Sequence, residues 1–171
     1  MTIAAIDPGS TGAIVILSEP IQIYVPPTIG KKMDWAGYAR LFDKLEDCFV
    51  GLEEVHSIFG ASAKSNFTFG GMFYSAMCLL HSKGIRHEMI PPKKWQSEIW
   101  SATDRVYKAG KVNKTVDTKA TSLLAAKRLY PTLDFLYGDN EQGNGRRTKP
   151  HDGIVDALLI AEFCRRTFNY E

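Results

Sequence analysis

The sequence predicts an α/β domain built on a mixed, five-stranded sheet with helices packed against it. Three observations carry this reading. The first 25 residues hold three short apolar runs, joined by links too brief for a crossover helix. Beyond them, segments with helical spacing alternate with two further strand-like runs. Finally, 44% of the 171 residues are hydrophobic, enough for one core of domain size, and no apolar run approaches the ~20 residues that span a bilayer.

Thr2–Ile6 is apolar enough for a strand buried on both faces, and Pro8-Gly9 stops it with Asp7 at its C-terminal end. Ser10-Thr-Gly12 turns the chain into a second strand, Ala13–Ser18. Pro20 punctuates, and Ile21–Val25 is the third; links this short predict an antiparallel meander. Pro26–Lys32 reads as a loop. Asp34 suits the N-cap of a helix from Trp35 to about Cys48, whose Trp35, Tyr38, Leu41, Phe42, Leu45 and Phe49 keep helical spacing. Val50–Val55 is the fourth strand; its adjacent Glu53 and Glu54 must point to opposite faces.

His56–Asn66 reads as a loop. A helix then runs to about Ser82, with Phe69, Met72, Phe73, Ala76 and Leu80 on one face. Gly70-Gly71 near its start costs about 1 kcal/mol per glycine relative to alanine, which close approach of another backbone or a ligand would justify. Arg86–Ile90 is the fifth strand and Lys93–Trp100 a short helix. Ser101–Val116 is polar, basic and poorly patterned, and reads as an exposed mobile segment. Thr118–Tyr130 is a helix with Leu123, Leu124, Ala126 and Leu129 inward. Asp139–Pro150 is a loop rich in Gly, Asn and Arg, and the last helix spans about Gly153–Thr167. Without repeats or an interdomain linker, residues 1–171 read as a single domain.

Charge and cysteines bound the function. The formal charge of +2 does not by itself mark a nucleic-acid binder, but Arg86 to Arg128 holds ten Lys/Arg against four Asp/Glu. Arg146, Arg147 and Lys149 lie just before the last helix, so these basic stretches are candidate phosphate contacts. Cys48, Cys78 and Cys164 are odd in number and lack metal-ligand spacing; each falls in a predicted helix and reads as a reduced, buried thiol. No basic n-region with a following apolar stretch marks a signal peptide, so a cytoplasmic protein is expected.

Four acids stand out. Asp152 and Asp156 lie four apart at the start of an apolar helix and so share a face. Their plain reading is an N-cap and a first-turn acid favoured by the helix dipole. Asp7 ends the first strand, and Glu53 lies on a strand able to run beside it. Four converging carboxylates repel unless cations hold them, and with two divalent ions they make a site for phosphodiester hydrolysis.

The ordered set Ile6-Asp-Pro-Gly-Ser10, Leu52-Glu-Glu-Val55 and Asp152-Gly-Ile-Val-Asp156-Ala-Leu resembles the motifs of RuvC-type Holliday junction resolvases, phage-encoded members in particular, within the ribonuclease H-like superfamily. The resemblance implies a ribonuclease H-like fold, in which the meander is joined by two parallel strands. It implies a Mg²⁺-dependent endodeoxyribonuclease acting on four-way or other branched DNA, leaving 5′-phosphate ends. Its catalytic and metal-binding residues would be Asp7, Glu53, Asp152 and Asp156, with two Mg²⁺ per site and Mn²⁺ as a substitute. It also implies a homodimer, since symmetric cutting of a junction needs two sites related by symmetry; Phe69, Phe73, Tyr74 and Met77 are available for that interface, the alternative being a fully buried central helix in a monomer.

Bacterial members often space the final acids three apart rather than four, so either Asp152 or His151 completes the shell, His151 serving as a supporting group, a proton donor or a helix-entrance residue. The family's base-stacking aromatic corresponds to His56, with Phe59 just beyond as a second stacker, a core residue or an interface residue. DNA contacts would come from His56, Lys111, Lys114, Lys119, Arg146, Arg147 and Lys149. Three rival readings stay open: a nuclease of the same fold acting on flaps, forks or RNA; an actin-like ATPase fragment, suggested by Asp7-Pro-Gly-Ser-Thr-Gly12; and a non-catalytic DNA-binding module.

Overall fold

A computed structural model describes residues 1–55, 60, 62–109, 115–136 and 149–168. Strands β1 (Thr2–Asp7), β2 (Ala13–Ile16) and β3 (Gln22–Tyr24) form the antiparallel meander. A two-stranded hairpin, β4 (Thr28–Ile29) with β5 (Lys32–Met33), follows where a plain loop was expected; Gly30 supplies the positive φ of 62° at its tip. Helix α1 (Trp35–Leu41) is capped by Asp34, whose carboxylate accepts from the Gly37 N–H. Strand β6 (Cys48–Glu53) lies parallel to β1, and after α2 (Ala63–Ser82) strand β7 (His87–Ile90) lies parallel to β6. The spatial order is β3-β2-β1-β6-β7, flanked by helices.

Alternation along β1 splits the core in two. Ile3 and Ala5 face the layer formed by α3 (Pro92–Ile99), α4 (Thr118–Leu129) and α5 (Asp152–Thr167). Ala4 and Ile6 face α1, α2 and the short 3₁₀ turn Phe42–Leu45. Helix α5 is buried almost all round, which is why its sequence is apolar without a clean stripe. It can lie close to the sheet because β6 offers Gly51 there: a Cβ on Gly51 would stand 2.5 Å from the Cys164 Sγ.

Several expected boundaries move, each for a tertiary reason. The helix from Trp35 stops at Leu41 rather than Cys48, because Cys48 and Phe49 pair with Thr2 and Ile3 as strand residues. Helix α2 starts at Ala63, inside the expected loop, because the Ser62 hydroxyl accepts from the Ser65 N–H. On α4 Thr121, Ser122, Ala125 and Ala126 are buried, small enough for close approach to α5; Leu123 and Leu129 pack against the core as expected, whereas Leu124 is exposed. Cys48 sits in a strand and Cys78 is exposed, so only Cys48 and Cys164 are buried thiols.

The segment expected to be exposed and unpatterned contains a 3₁₀ turn, Ala102–Asp104, closed by a capping box with Ser101. Asp104 is buried, and Arg128 grips it through Nε (3.0 Å) and Nη2 (2.7 Å) while also donating to the Ile99 carbonyl. These hydrogen bonds hold the Asp104 carboxyl down at about 2. Removing Arg128 leaves a buried charge unpaired. Arg128→Met is expected to cost about 2 kcal/mol by urea unfolding at pH 7, the figure being reduced for the arginine's partial exposure. Since the folded-state value is depressed, this stabilisation is complete above pH ~4 and lost as pH falls toward 2, so the variant and wild type should converge in acid.

Candidate active site

Asp7 and Glu53 are neighbours because of register. Strands β1 and β6 run parallel with Ile6 opposite Leu52, so the next residues, Asp7 and Glu53, leave the sheet side by side at its C-terminal edge. The two side chains share a hydrogen bond, which raises the Asp7 carboxyl and lowers that of Glu53. Glu53 also accepts from the Trp95 Nε1–H at 3.0 Å. Glu54 has left the strand, and its N–H donates to the Ile90 carbonyl.

Helix α5 brings the other two acids to the same edge. Its N-terminus is seated on the β1–β2 turn: a Cβ on Gly153 would fall 2.4 Å from the Thr11 carbonyl and 2.7 Å from the Gly12 Cα. Gly12 is equally constrained, since its own Cβ would collide with the Asp7 carbonyl at 2.0 Å. The glycines in Asp7-Pro-Gly-Ser-Thr-Gly12 and Asp152-Gly153 therefore let turn and helix touch. Asp156, one turn in, accepts from the Ser122 hydroxyl of α4. Asp152 is exposed and pairs with Lys119 of α4.

The electrostatics record this convergence. The Asp7 carboxyl is raised well above its ordinary value, first by burial and then by the charges of Glu53 and Asp156. Asp156 is pushed up to about 7, again by burial and then by Glu53, with the Ser122 hydrogen bond opposing. Glu53 is raised by burial, against the Trp95 and Asp7 hydrogen bonds. Burial dominates each of these shifts, although all three residues are only partly buried.

His151 is the N-cap of α5, its Nδ1 accepting from the Ile154 N–H at 3.2 Å and its own N–H bonded to the Phe135 carbonyl. An accepting Nδ1 requires the proton on Nε2. Burial lowers the imidazole's pKa, favouring that neutral form. The cap is thus His151 and not Asp152, which is already helical. Lys119 reaches the acids, and Lys149 is exposed just before α5. His56, Phe59, Lys111, Lys114, Arg146 and Arg147 lie outside the described residues.

Among the described residues, no three His, Cys, Asp or Glu side chains close into a ready coordination sphere. The donor set nonetheless fits hard divalent cations: it is all carboxylate oxygen, and Asp7 and Asp156 are held in a place where negative charge is costly.

A groove of about 480 Å³ opens from Asp7, walled on one side by Gly9–Gly12 and on the other by Lys64, Ser65, Thr68 and Phe69 of α2. Lys64, Ser65 and Thr68 do not stand out in the sequence, because the polar run after Ser62 hides the true start of α2. Begun at the Ser62 cap, the i, i+1, i+4 spacing places them on one polar face of its first turns. Trp95 and Ser122 were missed because each comes from a helix whose packing, not pattern, aims it at an acid. Trp95→Phe removes the donor to Glu53 while keeping an apolar ring, and is expected to raise the Glu53 carboxyl further, read by NMR titration of its side chain.

Antiparallel meander, two parallel strands and acids on the C-terminal edge together define the ribonuclease H-like fold. The solved structures it is similar to include RuvC of Thermus thermophilus. One is a complex with Holliday junction substrate (TM-score 0.55, 14% identity, 97% of this chain and 95% of that one). Another is a second structure of Thermus thermophilus RuvC (TM-score 0.54, 14% identity, 97% and 96%). No family model matches the chain, and no curated protein matches its sequence.

Proposed function

We propose that this protein is a divalent-metal-dependent endonuclease that cuts branched DNA, four-way junctions foremost, by phosphodiester hydrolysis. The observation that carries the reading is the convergence of Asp7, Glu53 and Asp156, with Asp152 alongside, at one sheet edge, where a groove opens from Asp7. Acids sharing one field carry a cost with no structural benefit: Glu53 and Asp156 raise Asp7, and Glu53 raises Asp156. The resemblance of the three sequence motifs, and the fold shared with a protein solved on a Holliday junction, point to the substrate.

Asp7, Glu53, Asp152 and Asp156 would hold two Mg²⁺ or Mn²⁺ ions, which when bound supply the Lewis acidity for hydrolysis and neutralise the scissile phosphate. The chain's own groups do the rest. Trp95 fixes the rotamer of Glu53, and Ser122 that of Asp156. Lys119 restrains Asp152 until a cation competes for it. His151 anchors the helix that carries both aspartates, so its part is to position them. Lys64, Ser65 and Thr68 line the path along which a phosphate backbone enters. Basic residues outside the groove, Lys149 among them, add contacts that weaken steeply with salt.

Symmetric cutting calls for a homodimer. Of the side chains expected at its interface, Phe73 faces the core and is unavailable, whereas Tyr74 on α2 is 64% exposed. The test is product mapping with Mg²⁺ on four-way junctions, flaps and RNA–DNA hybrids in parallel. Paired, symmetric nicks bearing 5′-phosphates in junctions are expected. Selective cutting of flaps or hybrids reassigns the substrate, and no cutting of any of the three ends the nuclease reading.

A further inference from the structure

Beside the Asp7 groove lies a second, apolar pocket of about 330 Å³, lined by Met33, Trp35, Phe67, Gly71 and Met72, with Lys31 among the lining residues. The two spaces adjoin, with Ser10 and Thr68 lining both. Its aromatic walls are unusually open: Phe67 is 84% and Trp35 54% exposed. Large rings left in water carry a cost unless something covers them.

Gly71 gives the clue to what does. Glycine within a helix costs about 1 kcal/mol relative to alanine. At Gly153, in α5, that cost has a visible cause, since a Cβ would strike the chain itself. At Gly71 a Cβ meets nothing within 4 Å, yet the residue lines the pocket. The bare backbone keeps the pocket floor flat for an occupant that is not part of this chain.

We infer that this pocket takes an unpaired nucleobase of the strand whose phosphate lies at Asp7, stacked against Trp35 and Phe67; the inference rests on the nuclease reading above. A base fits on three counts. It presents a flat apolar face to ring walls. It is tethered to a phosphate, and the adjoining space holds Lys64, Ser65 and Thr68 for that phosphate. The lysine on the pocket's lining, Lys31, suits the next phosphate along. A base must leave its partner to enter, so the pocket selects DNA in which pairing is already broken, as at a junction's branch point.

The test uses the cleavage-deficient Asp7→Asn background for binding and the otherwise wild-type chain for rate. Four-way junctions carry 2-aminopurine at each base flanking the mapped cut. Binding should quench its fluorescence, relative to the free junction, at one position, and Trp35→Ala or Phe67→Ala should relieve the quench. In the cleaving protein each variant should lower kcat/KM about tenfold. Gly71→Leu, which favours the helix, should raise the thermal midpoint while lowering cleavage by a similar factor and narrowing the preference for branched over linear DNA.

If wild type cuts junctions but the Trp35, Phe67 and Gly71 variants cut with unchanged kcat/KM and no position is quenched, the pocket inference fails and the nuclease reading stands. A wild-type protein that cuts nothing ends both. Conversion of a dimer to a monomer by Phe67→Ala, seen by sedimentation, identifies the occupant as a second copy and overturns the base pocket.

Discussion

Asp7→Asn is expected to abolish Mg²⁺-dependent cleavage, by about 1,000-fold or more, and at the same time to raise the thermal midpoint of the metal-free protein. Both effects come from one field. Asp7 is buried beside Glu53 and Asp156, and its charged form is opposed by burial and by both neighbours. An amide of the same shape removes that repulsion but is a poor ligand for a hard cation. Losing several kcal/mol of transition-state stabilisation gives the loss in rate, at about 1.4 kcal/mol per tenfold.

The stability effect has a defined pH dependence. Asp156 has a folded-state value of about 7 against an ordinary value of 3.8. A carboxyl raised on folding stabilises most at low pH, and the contribution is lost as pH rises through the folded value. The metal-free wild type should therefore lose stability between pH ~4 and ~8, and Asp7→Asn should flatten the decline by removing the raised Asp7 carboxyl from it. Around 1 kcal/mol moves the midpoint of a domain this size by roughly 2–4 °C, so calorimetry at pH 5 and pH 8 reads the difference. Mg²⁺ should stabilise wild type at pH 8 and leave Asp7→Asn nearly unmoved, because only a bound ligand shifts the folding equilibrium. A variant that retains full cleavage, or that is less stable than wild type at pH 8, sinks the assignment of Asp7.

The second large effect is expected from a residue with no functional side chain. Gly153→Ala should cost about 2 kcal/mol in urea unfolding and lower cleavage about 100-fold. Its Cβ would lie 2.4 Å from the Thr11 carbonyl, so α5 must back away from the β1–β2 turn. Asp152 and Asp156 then leave Asp7 and Glu53, and a displacement near 1 Å at a reacting centre costs about two orders of magnitude. Gly70→Ala is the control. A Cβ at Gly70 meets nothing within 4 Å, so that change should be neutral or stabilising by up to ~1 kcal/mol. Equal effects at the two glycines would show that helix propensity, not seating, is being measured.

Parts of this were legible because they are written in local chemistry. The meander follows from apolar runs and brief links, and Asp34 announces α1. Other parts were not. Phe49 fits helical spacing after Trp35 but belongs to β6, because a period of 3.6 and one of 2 coincide over short spans. Ser62 signals the true start of α2, yet the run after it is too polar to read as helix, and with that start went Lys64, Ser65 and Thr68. Asp104 reads as one more charge in a basic segment until Arg128, 24 residues on, encloses it.

What the sequence by itself determined is which residues are present to do chemistry: acids at strand ends and on one helix face, glycines beside two of them, and apolar runs that make the strands. Alternation, capping and turn residues act over a few positions, so neighbouring residues suffice to read them. Only the tertiary structure decided which acids meet. The register of β1 on β6 sets Asp7 beside Glu53, and the contact at Gly153 sets Asp156 against both. Those relations join residues 46 to 149 positions apart, where pairing and packing act and local pattern carries no information.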